Sequence, residues 1–152
     1  MFLGTFPISL DSKGRLSIPA KLRDFFAEES DNTLVITADV EKNLLVYTLD
    51  QWEKVVPQLV ALPSFNARAR SIKRLYMGYA NDCNIDASGR VLIPPALREY
   101  AGLDKKVMLV GMGNKFELWD KARWDEVNAQ DAALLLNDGF EGFDDVLGSL
   151  SL

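Results

Sequence analysis

Histidine is absent from this chain, and cysteine occurs once, at Cys83. Those two scarcities exclude imidazole acid–base catalysis, the usual His- and Cys-rich zinc sites and an internal disulfide framework. A lone thiol fits a reducing compartment, so the expected location is cytoplasmic. No apolar run approaches the roughly 18–20 residues that a membrane-spanning helix needs. The start, Met1-Phe2-Leu3-Gly4-Thr5, lacks the basic residues and long apolar stretch of a secretory signal. Gly-rich phosphate loops and metal-ligand spacings are missing too, so no cofactor, metal or small-molecule substrate is expected and no enzymatic activity. Cys83 has no base partner close in sequence, which makes it a bystander rather than a nucleophile.

What is present is a 152-residue chain, 48% hydrophobic, long enough for a real core. Its formal net charge of −5 argues at first against nucleic acid. The distribution argues otherwise. Seven of the 22 acids lie from Asp125 onward, where there is no base, and the other 15 face all 17 bases. Binding answers to the local patch more than to the total.

The chain also repeats itself. Residues 10–23 read L-D-S-K-G-R-L-S-I-P-A-K-L-R, and residues 85–98 read I-D-A-S-G-R-V-L-I-P-P-A-L-R. Asp11 recurs as Asp86, 75 positions on, and Gly, Arg, Ile, Pro, Leu and Arg follow in register. Such a repeat fixes the architecture before any local reading. Two half-sized units, each small for a core of its own, are expected to share one.

Within each repeat, Asp and Gly supply turn chemistry and an alternating strand follows. Pro19 is expected to open a short helix to about Phe26. Thr33–Thr37 and Leu44–Tyr47 read as a hairpin, as do Val107–Val110 and Phe116–Trp119. Thr48 and Gln51 form a capping-box pattern before Trp52, Val55, Val56 and Leu59, with Pro57 expected to kink or end that helix early. Asp120 is expected to cap a helix bearing Trp124 and Val127. Trp124 follows Trp52 by only 72 positions, which places a three-residue deletion after the first helix. Both tryptophans read as core. Residues 64–77 form a helical connector with the stripe Phe65, Ala69, Ile72 and Tyr76, and Arg68, Arg70, Lys73 and Arg74 read as its solvated face. Residues 137–152 are an acidic tail, either a weak amphipathic helix or mobile.

Arg15 and Arg90 each leave a glycine turn, where a long side chain projects outward. Guanidinium takes phosphate or guanine in a two-pronged way, and a two-stranded ribbon fits the major groove. Lys13, Lys21, Arg23 and Arg98 are candidate phosphate contacts, with Asp11, Gly14, Asp86 and Gly89 shaping the turns. The alternative is structural: an Asp four residues before an Arg can form a local ion pair that only fixes the turn.

The order F-L-G-T…L-D-S-K-G-R-L-S-I-P-A-K-L-R, Y-M-G…I-D-A-S-G-R-V-L-I-P-P-A-L-R-E-Y-A-G-L, K-F-E-L-W-D…W resembles the MraZ family over about residues 2–127. Its signature positions fall on Asp11, Arg15, Asp86 and Arg90. The resemblance implies a mainly β fold with added helices (α+β), a pseudo-symmetric double-split β-barrel built from two swapped-hairpin units of SpoVT-AbrB type, at 5–52 and 81–124. It implies a ring-shaped homo-oligomer and a nucleoid-associated, sequence-specific transcriptional regulator. Its partner would be double-stranded promoter DNA with short, spaced G-rich repeats, upstream of the division and cell wall gene cluster and its own gene. The same barrel type occurs in antitoxins, which leaves a protein-interaction module as the rival. The second turn carries Ala87-Ser88 where the first has Ser12-Lys13, so the first is expected to bind more strongly.

Overall fold

Apolar runs drive the hairpin strands and alternation the ribbon strands, and the same order of elements occurs twice. The computed structural model describes residues 2–139, so the expected acidic tail lies, from residue 140 on, outside the described residues. The first repeat contains β1 (Thr5–Ser9), β2 (Arg15–Ser17), α1 (Ala20–Ser30), β3 (Thr33–Ala38), β4 (Leu44–Thr48) and α2 (Leu49–Val60). The connector is α3 (Ala67–Tyr76). The second repeat contains β5 (Asn81–Asn84), β6 (Arg90–Leu92), α4 (Pro95–Ala101), β7 (Lys106–Gly111), β8 (Phe116–Asp120) and α5 (Lys121–Asp138). The described residues up to Lys121 form one compact unit, and those from Ala122 on belong to another. In the second, Arg123 pairs with Glu126 at 3.4 Å along α5.

The fold is α+β, and its strands are swapped between repeats. The six-stranded sheet has the order β1-β7-β8-β4-β3-β5, and β2 pairs with β6 in a separate two-stranded ribbon. Thus β1 lies on the second repeat's hairpin and β5 on the first's. The correspondence is pseudo-two-fold: Ile8 pairs with Val107 as Cys83 pairs with Leu34. In the ribbon Leu16 faces Val91, its own counterpart, so the approximate axis passes there.

This swap explains the common core. Phe26 from α1 and Phe116 from β8 are fully buried, with ring centroids 6.0 Å apart, and Phe2 packs edge-on against Phe116 at 5.2 Å. Leu16, Ile18, Val91 and Ile93, the inward residues of the ribbon strands and their ends, join the same cluster. Neither repeat could bury these side chains alone, since each supplies only part of the lining.

Several local expectations need correction. Pro19 stands at the N-cap of α1, which starts at Ala20 and runs on to Ser30. Pro57 does not end α2 early. It sits in the last turn of a helix that continues to Val60, where only one carbonyl loses its partner and the ring adjoins the natural end. The register change is not one three-residue deletion. Leu34 corresponds to Val107, two positions short of the helix offset, and the remaining residue is lost in the hairpin turn. Asp120 does stand immediately before α5, and its carboxylate accepts the Asp104 N–H at 3.1 Å. In the connector, Asn66 caps α3 through the Ala69 N–H, so Phe65 precedes the helix and is 90% exposed. Ala69 is buried as expected, whereas Ile72 is largely exposed. Tyr76 anchors the C-terminal end: its hydroxyl donates to Asp39 at 2.6 Å, and its carbonyl accepts from Thr37 Oγ1 at 2.7 Å. Trp52 is half-buried against Tyr47, with ring centroids 5.4 Å apart.

Candidate nucleic-acid interface

Each repeat opens on the same turn, and an aspartate builds it. Asp11 Oδ1 accepts the backbone N–H groups of Lys13 (3.0 Å) and Arg15 (2.8 Å), while the Asp11 carbonyl accepts Gly14 N–H at 3.0 Å. Asp86 repeats this with Ser88 (2.8 Å), Arg90 (3.0 Å) and Gly89 N–H (2.9 Å). Two bonds to one short side chain and a third to its backbone carbonyl leave each turn little freedom.

The Arg15 backbone N–H, above all, holds the Asp11 carboxyl below its ordinary range, helped by the Arg15 guanidinium and the Lys13 N–H. The Arg90 backbone N–H does the same for Asp86, with help from Ser88 and from the charges of Arg90 and Arg15. A depressed carboxyl stabilises the fold fully above its unfolded value of about 4, and that contribution disappears as pH falls through the folded value. Thermal melts taken from pH 6 down to pH 3 are therefore expected to show a falling midpoint below about pH 4. Asp11→Asn with Asp86→Asn should flatten that part of the profile; an unchanged profile would show that the turns do not contribute to it.

The ribbon then presents the arginines. Leu16 and Val91 point inward and are buried, while Arg15, Ser17, Arg90 and Leu92 point outward. Arg15 lies opposite Leu92 and Ser17 opposite Arg90, so the two arginines sit on one face, diagonally across the axis. Their side chains are 32% and 35% exposed. The local ion pair does form in the first repeat: Arg15 Nε donates to Asp11 Oδ2 at 2.7 Å. Arg90 Nη1 comes within 3.9 Å of that same oxygen, so Asp11 stands between both guanidinium groups. Arg90 Nε is buried and has no hydrogen-bond partner among the described residues. The two arginines are thus chemically alike but not equally held.

Arg23 and Arg98 carry a connection between the repeats that the sequence pattern did not reveal. Arg23 Nε donates to Ile18 carbonyl at 2.9 Å, and Arg98 Nε to Ile93 carbonyl at 2.9 Å. Their guanidinium groups then lie against the glycine of the opposite turn. A Cβ on Gly89 would stand 2.4 Å from Arg23 Nε, and one on Gly14 would stand 2.4 Å from Arg98 Cζ. Both glycines also have positive φ, +84° at Gly14 and +75° at Gly89. The glycine carbonyls complete the lock: Gly14 accepts Ile93 N–H and Gly89 accepts Ile18 N–H, both at 2.9 Å. Lys13 is exposed on its turn, Lys21 is exposed in the first turn of α1, and Asp86 is exposed.

The alternation in R-L-S sets Ser17 beside Arg15 on the outward face, and the same signal in R-V-L, which sequence reasoning missed, sets Leu92 there too. Cys83 is buried, and burial pushes its thiol up to about 11, far from a nucleophile's range. Among the described residues no group of three or more His, Cys, Asp or Glu side chains could hold a metal ion, and no helix is long and apolar enough to cross a membrane.

Comparison with known proteins agrees with this doubled geometry. The family model "MraZ protein, putative antitoxin-like" matches residues 1–75 and again 76–144. Its second match begins where the internal repeat begins anew. A protein of Coxiella burnetii named Transcriptional regulator MraZ is 52% identical over 126 residues, 82% of this chain and 83% of its own. A namesake from Pseudomonas fluorescens is 50% identical over 140 residues, 91% of this chain and 93% of its own. One from Thioalkalivibrio sulfidiphilus is 44% identical over 152 residues, the full length of both. With two tandem family matches and relatives of this closeness along nearly the entire chain, the protein belongs to the MraZ family.

Proposed function

We propose that this protein is a non-enzymatic, sequence-specific DNA-binding regulator of transcription whose recognition element is the outward face of the β2–β6 ribbon. The observation that carries the reading is the diagonal placement of Arg15 and Arg90 on the outward face of a two-stranded ribbon, each just after a turn that its aspartate ties to the backbone. Such a ribbon fits the major groove, about 12 Å wide, and arginine reads guanine O6 and N7 there. Lys13, Lys21, Arg23 and Arg98 contact phosphates and position the ribbon. The names carried by the relatives support regulation of transcription. Family membership supports the finer reading: short spaced repeats upstream of the division and cell wall cluster, including the protein's own gene, bound by a ring of copies in the cytoplasm at the nucleoid. Linking many weak ribbons in a ring raises affinity without new contacts.

The test is a footprint of the purified protein on DNA upstream of its own gene. Protection of short, evenly spaced repeats is expected, and no protection would overturn the reading. The salt response is a second measurement. The logarithm of affinity should fall against the logarithm of salt with a slope of roughly −0.9 per phosphate neutralised, and Lys13→Ala should make it shallower by about 0.9. A flat response would exclude phosphate contacts.

The antitoxin-like description of the family favours one rival, a module that binds and neutralises a partner protein. Co-purification of an equimolar partner, with no retention on promoter DNA, would select it.

A further inference from the structure

Leu92 is the odd member of the recognition face. It is 54% exposed, although Val91 and Ile93 on either side of it are fully buried. Burial has therefore been satisfied by its neighbours, and the pleat sends Leu92 out among charges. Its place in the ribbon is directly across from Arg15, and residues so paired hold their Cβ atoms roughly 4.5–5.5 Å apart. The pseudo-symmetric position holds Ser17, across from Arg90. Every other outward position of the ribbon is matched in kind by its symmetry mate. At this one, an apolar side chain answers a hydroxyl.

On a face built to enter the major groove, an apolar group has one complementary feature to meet, the C5-methyl of thymine. We propose that Leu92 reads a thymine methyl beside the guanine that Arg15 reads, and that the Leu92/Ser17 difference gives the pseudo-symmetric ribbon a direction on the duplex. The inference rests on the ribbon being the DNA-binding element. Two outcomes of geometry follow. Arg15 and Leu92 stand side by side, so the thymine lies within about one base step of the Arg15 guanine. Ser17 is two residues along from Arg15, roughly 6.6 Å or two base steps of about 3.4 Å, and its hydroxyl tolerates donor or acceptor edges. A symmetric ribbon would sit equally well either way round. This one prefers the orientation that places the methyl under Leu92.

The test is a deoxyuridine scan. A duplex selected from a random library by the full-length protein is resynthesised with each thymine in turn replaced by deoxyuridine, which removes only the C5-methyl. Affinities are measured for the unaltered protein, Leu92→Ser and Arg15→Ala. For the unaltered protein, replacement at one thymine per ribbon site, next to a guanine, is expected to weaken binding about three- to fivefold, the effect of one methyl leaving an apolar contact. Leu92→Ser should lose that sensitivity while still binding, and its melting temperature checks that the exposed substitution leaves the fold intact. A flat scan while Arg15→Ala still weakens binding about 10- to 100-fold would overturn the inference and leave the DNA reading standing. Unchanged sensitivity in Leu92→Ser would overturn it too, because another group would then meet the methyl. If Leu92→Ser weakens every duplex alike, the side chain only supports the Arg15 stem, and the inference again fails. If the library yields no preferred sequence, the DNA reading falls together with it.

Discussion

Replacing Arg15 with alanine is expected to lower affinity for the protein's promoter DNA about 10- to 100-fold, and replacing Arg15 and Arg90 together about 100- to 1,000-fold. A two-pronged arginine–guanine contact discriminates by roughly 1–3 kcal/mol, and 1.4 kcal/mol is tenfold. Arg15→Ala is expected to cost more than Arg90→Ala. Asp11 Oδ2 holds Arg15 Nε at 2.7 Å, whereas Arg90 Nε has no partner among the described residues, so Arg15 starts closer to its bound orientation. Lys13 adds an exposed charge beside it where the other turn has Ser88. The fold should survive these changes, because a partly exposed ion pair contributes only about 0–1 kcal/mol. Gel-shift titration at fixed salt, with thermal melting as the control, measures both. Unchanged affinity in the folded double variant would remove the ribbon from the binding surface.

The second large effect concerns the glycines. Gly14→Ala is expected to destabilise the protein by about 2–4 kcal/mol. A left-handed conformation costs an alanine roughly 1–2 kcal/mol. The new methyl would also stand 2.4 Å from Arg98 Cζ. That guanidinium is the end of a flexible side chain and will withdraw, but only by giving up its bond to the Ile93 carbonyl. A charged hydrogen bond contributes roughly 1.5–3 kcal/mol, less where water can replace it. Gly89→Ala should act alike through Arg23. Denaturant titration of Gly14→Ala, Arg98→Ala and the double variant separates the two parts. The double variant is expected to be less destabilised than the sum of the singles, because the clash disappears with the arginine. Strict additivity would show that the guanidinium and the glycine do not meet.

The glycines show how far the linear order could be read. Their positive φ was legible, since D-x-x-G-R is turn chemistry written twice. That each glycine also makes room for an arginine from the opposite repeat was not. Arg23 precedes Gly89 by 66 positions, and nothing local links them. The same holds for Asp11. Its partner Arg15 lies four residues on, within reach of a local argument, but Arg90 arrives at 3.9 Å only because β2 and β6 pair across the repeats. The hairpins β3–β4 and β7–β8 were legible because apolar runs flank short polar turns. That β1 pairs with β7 rather than closing on its own repeat was implied by the family resemblance and not by the local pattern, because strand partners are chosen by what remains to be buried.

From the sequence alone came the repeat, the two Asp–Gly–Arg turns, the candidate cations and the strand and helix order, because turn residues, caps and apolar periods act over a few neighbouring positions. Tertiary structure decided the swap between repeats, the shared Phe26–Phe116 core, the seating of Arg23 and Arg98 against the opposite glycines, and the outward place of Leu92 beside Arg15. Those depend on contacts between residues far apart in the chain, which form only when each half finds in the other the surface it cannot bury by itself.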